Sequence, residues 1–526
     1  VQQFRTLHDP VGGTRKLGTT CLIEDVAFHI EDLPEATADL QDLIARHGYD
    51  DACIYGHTLE GNYHFIINQS FKTADDVKKY ERLMDDVKTL VVDKYDGSLK
   101  AEHGTGRNMA PFVRYEWGDD AFAVMKAVKE LFDPDGLLNP GVIFNDDPEC
   151  HVKHFKPLPL TNPLVDRCIE CGFCEVNCLT CGFALSSRQR IIIQREIARL
   201  KATGEDNERL KALVKGYKYW GNETCAGDGL CSTSCPMHIN MGELTHVIRQ
   251  QEMPEGSMGY TIGNFAANHF AGMKSALRPV LTLADTAHTV LGTKGATAQL
   301  VHVLGEHNLV ASLVEQRHHL VDECHLLRRL MRQAHGLVNA AWEIDHLVFL
   351  LGLSCLQMLV YMERLGHGRC PQRDAVLCDQ SPCLHRMRET IKKMHLYEPA
   401  EFIYTFLRDR LAFTPINEPV AIHITCSMRR MGLGDTIVAL AKLCSTDVFV
   451  PEEVGCCGFA GDRGFTHPEV NKYALRKLRP QLEKKGIRMG YSNSRTCEIG
   501  LTTNSGIPYE SIVYLVDQCT TSKDKA

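Results

Sequence analysis

Four cysteines within eleven residues, Cys168-Ile-Glu-Cys171-Gly-Phe-Cys174-Glu-Val-Asn-Cys178, constrain this chain more than any other feature. Three thiolates at this spacing let a short loop wrap one iron–sulfur cubane. The fourth, one helical turn on, usually ligates the other cluster of a pair. Zinc sites normally use two distant C-x2-C pairs instead, so the run reads as an iron–sulfur motif, with Leu179 where Pro usually follows. A second run, Cys225-Ala-Gly-Asp228-Gly-Leu-Cys231-Ser-Thr-Ser-Cys235-Pro236, has the same frame with Asp228 in the second ligand position. A carboxylate is a harder ligand than a thiolate. The site is therefore expected to hold an Asp-ligated [4Fe–4S] cluster or to settle as [3Fe–4S], unless Asp228 only shapes a turn. With cross-ligation, one cluster uses Cys168, Cys171, Cys174 and Cys235. The other uses Cys178, Cys225, Cys231 and Asp228. Cys181 is left over.

The 46 residues between the runs carry a charged helical pattern, Gln189–Lys215, which points to a helical ferredoxin domain over 164–250. The chain has 22 cysteines, eight of them between 168 and 235, in 526 residues. A disulfide scaffold is short and secreted, so these thiols are read first as metal ligands. With 58 Lys and Arg against 66 Asp and Glu, the formal charge is −8. That balance gives no basic face for nucleic acid. At 44% hydrophobic and 24% charged, the composition is globular, with a prior of about three or four domains. The most apolar run, Leu347 to Met362, is shorter than the roughly 20 residues that span a bilayer and is expected to be a buried helix.

Residues 1–150 read as a mixed α/β domain. Ala52–Gly56 and Tyr63–Ile67 are β-like runs flanking a turn at Thr58–Asn62. Helical patterns follow at Asp75–Tyr95 and Asp119–Phe132, the second stopped by Asp133-Pro-Asp-Gly. Residues 151–163, with three prolines, form a linker. Residues 251–372 are expected to be helical but anomalous: seven histidines lie from His302 to His346 with almost no turn chemistry, so 300–372 is either a helical segment or sequence translated out of frame. Residues 373–526 return to α/β alternation, with β-rich runs at Ala421–Ile424, Val448–Val450 and Ile512–Val516.

In that last domain Cys426 precedes Gly455-Cys456-Cys457-Gly458, and Cys497 follows. Adjacent cysteines are poor disulfide partners and suit metal binding. The pattern resembles the cysteine-rich CCG domain of heterodisulfide-reductase-type and glycolate-oxidase-type iron–sulfur subunits. Two departures stand out. A further Cys is often found where Gly500 stands, and such proteins usually carry two CCG repeats, whose first would fall in the anomalous stretch. A further cluster, zinc, or a purely redox thiol role remain open for these four cysteines.

Gly56-His57-Thr-Leu-Glu-Gly61-Asn62-Tyr-His64 places two histidines across a hairpin turn, and Glu102-His103-Gly104-Thr-Gly106-Arg107 adds a carboxylate and a third imidazole. Two His and one Glu form a recognised open metal site. These motifs, with Gly18-Thr-Thr-Cys-Leu-Ile-Glu-Asp and Leu138-Asn-Pro-Gly141, resemble the C-terminal cap of FAD-linked D-2-hydroxyacid dehydrogenases of the vanillyl-alcohol-oxidase fold. The whole arrangement is similar to bacterial proteins fusing that oxidase to a ferredoxin and a CCG module. The overall expectation is an α+β chain of cap, helical ferredoxin and α/β CCG domains.

The resemblance implies that His57, His64 and Glu102 hold Zn or Mn, and that His103 is the base that takes the hydroxyl proton of D-lactate or D-2-hydroxyglutarate. It further implies that Arg15 and Arg107 clamp the substrate carboxylate, and that Asn139, Pro140 and Gly141 lie against FAD. Electrons would pass through the clusters to a quinone or cytochrome. Most of the FAD in this family is held by a domain preceding the cap. The chain, which starts at Val1, is therefore expected to bind flavin weakly by itself, or to work with a separate flavin-domain chain. The expected location is cytoplasmic or peripheral at the inner face of the membrane, with no transmembrane segment. The rival expectation is a non-catalytic iron–sulfur relay subunit of a glycolate-oxidase-like complex, which would have no need of His57, His64, Glu102 and His103.

Overall fold

The computed structural model describes residues 15–156, 158–252, 256–269, 348–349, 375–378, 380–392, 395–461 and 463–522. They form a mixed α/β protein in two compact units, Val1–Gly172 with Ile191–Leu213 and Cys235–Ile239, and Phe173–Arg190 with Val214–Ser234 and Asn240–Ala526. The first unit is built on an antiparallel sheet in the order β1-β3-β2, with β1 Thr20–Ala27, β2 Cys53–His57 and β3 Asn62–Gln69. Helices α1 (Leu33–Arg46) and α2 (Ala74–Lys88) cover one face through Leu40, Leu43, Leu83, Met84 and Val87, which pack on Val26, Phe65 and Ile67. A capping box between Thr73 and Asp76 starts α2. Helix α3 (Val113–Phe132) is broken at Gly118, so its regular part begins near the expected Asp119 and ends at Asp133. Strand β1 and helix α1 carry no strong sequence signal and were not expected.

In the expected ferredoxin region, α4 (Ser187–Thr203) and α5 (Asn207–Tyr217) replace the single helical pattern, with Gly204 in the left-handed region between them. Helix α6 spans Met241–Glu252 and α7 spans Met258–Asn268.

The rest of the second unit holds two parallel sheets. One has the order β4-β5-β6 (Val348–Phe349, Ala375–Leu377, His395–Tyr397). The other has the order β10-β9-β7-β8, with β7 Val420–Ile422, β8 Val448–Phe449, β9 Met489–Ser492 and β10 Tyr509–Ser511. Parallel neighbours need crossovers, supplied by α8 (Gly434–Cys444) and α9 (Arg495–Ser505). The expected strand at Ile512–Val516 is corrected to helix α10 (Ile512–Cys519): Ser511 caps it by accepting from Val513 N, and Ile512, Val513, Leu515, Val516 and Cys519 bury one face. Tertiary burial outweighs the β-branched preference here. The anomalous 300–372 stretch lies outside the described residues except for Val348–Phe349, which pair with Val376 and Leu377 as a strand and not as the expected helix. Among the described residues no helix is long and apolar enough to cross a membrane.

Candidate metal and iron–sulfur sites

The first site follows from strand register. In the β1–β3 ladder Asp25 stands opposite His64, and in the β2–β3 ladder Tyr55 stands opposite His64 and His57 opposite Asn62. Residues opposite or two apart share a face, so Asp25, His64, Tyr55 and His57 all leave the same side of the sheet. The turn joining β2 to β3 closes at Gly61, whose φ is +69° and where a Cβ would come 2.1 Å from the Phe28 carbonyl oxygen; only glycine fits. After α2 the chain returns beside β1, with Ala27 and Ser98 exchanging backbone hydrogen bonds of 2.8 and 2.9 Å. That pairing delivers the Glu102-His103 loop to the same face.

His57, His64 and Glu102 converge there. Glu102 Oε1 lies 3.3 Å from His57 Nε2 and 2.8 Å from His64 Nε2, and one ligand atom from each residue falls within 4.8 Å of the others. His64 is buried while His57 and Glu102 are exposed, so the set is anchored on one side and open on the other. Burial holds the His64 imidazole below its ordinary range, reinforced by His103 and opposed by Glu102. A neutral imidazole is the form that ligates metal. His64 Nδ1 is buried without a hydrogen-bond partner. Two imidazoles and a carboxylate facing one point, with an open side, fit a divalent cation. His103 stacks on His64 with ring centroids 4.5 Å apart.

Residues to which the sequence analysis assigns no role support this site. Asp25 Oδ2 accepts from the amides of Ala101, Glu102 and His103 at 3.0, 2.6 and 3.0 Å. Burial pushes the Asp25 carboxyl up, but the His103 and Glu102 amides and the Lys100 ammonium outweigh it and hold it below the usual carboxylate range. Lys100 Nζ also lies 2.6 Å from Glu24 Oε2, and Asn108 bonds the same carboxylate. The available signal was two adjacent acids inside a strand-like run, a place where charges are rare unless paired.

The remaining residues expected at the substrate site divide. Arg107 donates to the Pro140 carbonyl at 3.0 Å, and Ile143 N donates to the Gly106 carbonyl at 3.1 Å, so Arg107 and Asn139-Pro140-Gly141 are brought together. Asn139 and Gly141 both take positive φ, and all three residues of that segment except Gly141 are exposed. Arg15 is corrected. Its guanidinium is buried and donates to the carbonyls of Asp166 and Cys168 at 3.2 and 3.1 Å. Arg15 lies ten residues before Asp25, beyond the far end of the extended β1, so the expected substrate clamp turns instead to the first cysteine run.

Cys168, Cys171 and Cys235 belong to the first unit. Burial pushes the Cys168 thiol up to about 11 against the Glu170 amide and Arg195, with Cys235 adding negative potential. Arg195 donates to the Cys168 carbonyl at 2.9 Å and pairs with Glu170 at 2.6 Å, fixing the loop that presents the thiols.

Cys174, Cys178, Cys225, Asp228 and Cys231 belong to the second unit. Cys178, Cys225, Asp228 and Cys231 line one cavity with Arg190. Arg190, fully buried, places Nη1 3.7 Å from Cys178 Sγ. Burial alone would raise the Cys178 thiol, yet Arg190 and the Thr180 and Ser187 hydroxyls bring it below its usual range. Three thiols and a carboxylate around a cavity with a buried guanidinium fit an anionic cluster. Asp228 does two things at once: Oδ1 accepts from Leu230 N at 3.0 Å, an Asx-type turn, while Oδ2 finds no nitrogen or oxygen donor. The Cys456 thiol also lies within hydrogen-bonding reach of this carboxylate.

Cys426, Cys456, Cys457 and Cys497 form a row, buried except at the half-buried Cys426. Cys457 Sγ donates to Cys497 Sγ at 3.2 Å, and Cys456 contacts both Cys426 and Cys457. Among the described residues, the sets of three ligand atoms lying mutually within 4.8 Å are both in the first unit, so these four thiols are spread more widely than a tetrahedral zinc site.

Comparison with known proteins follows the same division. The pattern of "FAD linked oxidases, C-terminal domain" matches residues 4–143, and that of the "4Fe-4S dicluster domain" matches residues 164–239. Over 133 residues the chain is 27% identical to glycolate oxidase subunit GlcD of Bacillus subtilis, covering 25% of this chain and 28% of that one. Over 122 residues it is 32% identical to D-2-hydroxyglutarate dehydrogenase of Stutzerimonas stutzeri, covering 23% and 26%. Over 98 residues it is 33% identical to the mitochondrial cytochrome-type D-lactate dehydrogenase of Kluyveromyces lactis, covering 19% and 16%. The chain therefore spans little more than a quarter of these relatives at most. It carries an FAD-linked oxidase C-terminal domain followed by a 4Fe–4S dicluster domain, and it is a distant homologue of the D-lactate and D-2-hydroxyglutarate dehydrogenases and of GlcD.

Proposed function

We propose that this chain forms the substrate-capping and electron-transfer part of an FAD-dependent dehydrogenase that oxidises a D-2-hydroxyacid, D-lactate or D-2-hydroxyglutarate, to the 2-oxoacid. The observation that carries this reading is the convergence of His57, His64 and Glu102 with His103 Nε2 only 4.0 Å from Glu102 Oε1. A simple electron relay has no use for that arrangement.

In this reading His57, His64 and Glu102 hold a Zn or Mn ion, and the cysteines of the two runs, with Asp228, serve as iron–sulfur ligands. When bound, the divalent ion supplies Lewis acidity toward the substrate hydroxyl and carboxylate, flavin supplies the two-electron acceptor, and the clusters carry single electrons to a quinone or cytochrome. His103 Nε2 takes the hydroxyl proton, a role suited to an imidazole near neutral pH. Arg107, already at the Pro140 carbonyl, orients the substrate carboxylate beside Asn139–Gly141. Cys426, Cys456, Cys457 and Cys497 serve as a further metal or redox site.

The test is dye reduction by the purified protein assembled with a flavin-binding domain and shown to hold FAD. D-lactate or D-2-hydroxyglutarate should support it, the L enantiomers should not, and His103→Ala should abolish it. Absence of turnover with every D-2-hydroxyacid, in protein whose clusters still accept electrons from dithionite, would leave only the relay function.

A further inference from the structure

Asp25 is outside the His57, His64 and Glu102 set, although one of its oxygens lies within 4.8 Å of ligand atoms of His64 and His103; it is fully buried, opposite His64 in the β-ladder. Its two oxygens face different tasks. Oδ2 collects three consecutive amides from Ala101, Glu102 and His103, and charge-assisted bonds of this kind define a loop closely. Oδ1 accepts no hydrogen bond; it lies 3.4 Å from Lys100 Nζ and 3.9 Å from His103 Nδ1. The other nitrogen of that ring, Nε2, faces Glu102 Oε1 at 4.0 Å. The imidazole of His103 is thus strung between a buried carboxylate and the ligand set.

We propose that Asp25 is the positioning residue of this site. Through Oδ2 it holds the loop that brings Glu102 to His57 and His64. Through Oδ1 it selects the His103 tautomer with the proton on Nδ1, so that the Nε2 lone pair points at the ligand set. The Nδ1 contact is longer than a hydrogen bond; such contacts tighten when a substrate fills the site. The proton balance closes: the substrate O–H breaks, N–H forms at Nε2, and the resulting imidazolium is paired by the Asp25 carboxylate. This role rests on the base function proposed for His103.

The test uses the full chain and two readouts that need no flavin. Mn(II), which prefers oxygen and nitrogen ligands to thiolates, is titrated and followed by EPR of the free ion, with Glu102→Gln marking the site. Carbethoxylation of His103 by diethylpyrocarbonate, followed by peptide mass spectrometry, reports the Nε2 lone pair. Asp25→Ala should weaken Mn(II) by about 10- to 100-fold. In Asp25→Asn the three amides require the side-chain oxygen at the Oδ2 position, which turns the NH2 donor toward His103 Nδ1 and favours the opposite tautomer. Mn(II) affinity should then stay within a few-fold of the parent, while His103 modification slows by about tenfold or more. An unchanged His103 rate in Asp25→Asn overturns the proposal, and that arm decides even if Asp25→Ala does not fold. If the parent shows no Mn(II) site sensitive to Glu102→Gln, the metal reading falls, and the His103 rate still judges Asp25.

Discussion

Nη1 of Arg190 lies 3.7 Å from Sγ of Cys178, on a guanidinium whose other nitrogens bond the Gly221 carbonyl at 2.6 Å and the Thr180 and Thr224 hydroxyls at 3.1 Å each. Among the described residues this buried cation forms no ion pair with a carboxylate; the Cys225 and Cys178 thiols are its main counter-charges, with Asp228 lining the same cavity. Arg190→Met should lose iron from one cluster and destabilise the second unit by about 3 kcal/mol. Iron per chain and the urea midpoint measure both effects. Arg190→Lys keeps the charge but not the fork of donors, and should recover only part of each. Full iron content with an unchanged midpoint in Arg190→Met would remove the residue from any cluster role.

Asp228 sits in the second position of the Cys225 run with one oxygen held by Leu230 N and the other without a nitrogen or oxygen donor, the Cys456 thiol being within reach of the carboxylate. Asp228→Cys restores the all-thiolate set and should convert the cluster to a fully Cys-ligated [4Fe–4S] form, while Asp228→Ala should leave a [3Fe–4S] cluster. EPR before and after dithionite separates the two. The change to Cys loses one hydrogen bond worth about 1 kcal/mol, too little to unfold the domain. Identical spectra in parent and both variants would confine Asp228 to shaping the turn.

These two sites show what could be read from the chain and what could not. Ligand spacing is local, so the cysteine runs, the double-His turn and the Glu102-His103 loop were all visible. So was the stop at Asp133. Arg190 and Asp25 were not, because their partners lie 10 to 34 and 76 to 78 residues away along the chain and nothing in their immediate neighbours demands them. Arg15 failed for the opposite reason: an arginine before a recognisable motif suggests a substrate, and the fold spends it on two carbonyls. Ile512–Val516 misled because β-branched content outweighed the helical spacing of its buried residues and the Ser511 cap. The short parallel strands β9 and β10 were missed because Gly490 and Ser492 in the one and Glu510 and Ser511 in the other dilute the apolar run.

Two buried titratable groups flank β9 and set opposite pH limits. Burial, helped by Arg429, pulls the His423 imidazole down to about 3. The unfolded chain binds that proton first, so stability should fall as pH drops from about 6.5 toward 3, by roughly 1.4 kcal/mol per unit. Burial pushes the Glu398 carboxyl up to about 8, against the Glu401 and Ala400 amides and Asn493. The folded state retains that proton longer, so stability should also fall as pH rises from about 4.5 toward 8. Urea midpoints taken across pH should show His423→Leu flattening the acid limb and Glu398→Gln the alkaline one. A profile that neither substitution alters would mean that both groups titrate as in the unfolded chain.

Packing explains why a glycine stands at position 500. A Cβ there would come 2.6 Å from Asn471 Nδ2 and 2.8 Å from Phe459 Cδ2. Asn471 Nδ2 in turn donates to the Cys457 carbonyl at 2.6 Å, so pressure on Asn471 reaches the thiol row directly. In an unconstrained helix, Gly→Ala gains about 1 kcal/mol. Here Gly500→Ala should instead destabilise by about 1–2 kcal/mol, because overpacking outweighs propensity. In an Asn471→Ala background the nearest clash is gone, and the same substitution should cost measurably less. A double-mutant cycle of urea midpoints reads the coupling; a stabilising Gly500→Ala in the parent would show that helix α9 can shift away from the thiols, and a cysteine at 500 would then be tolerated.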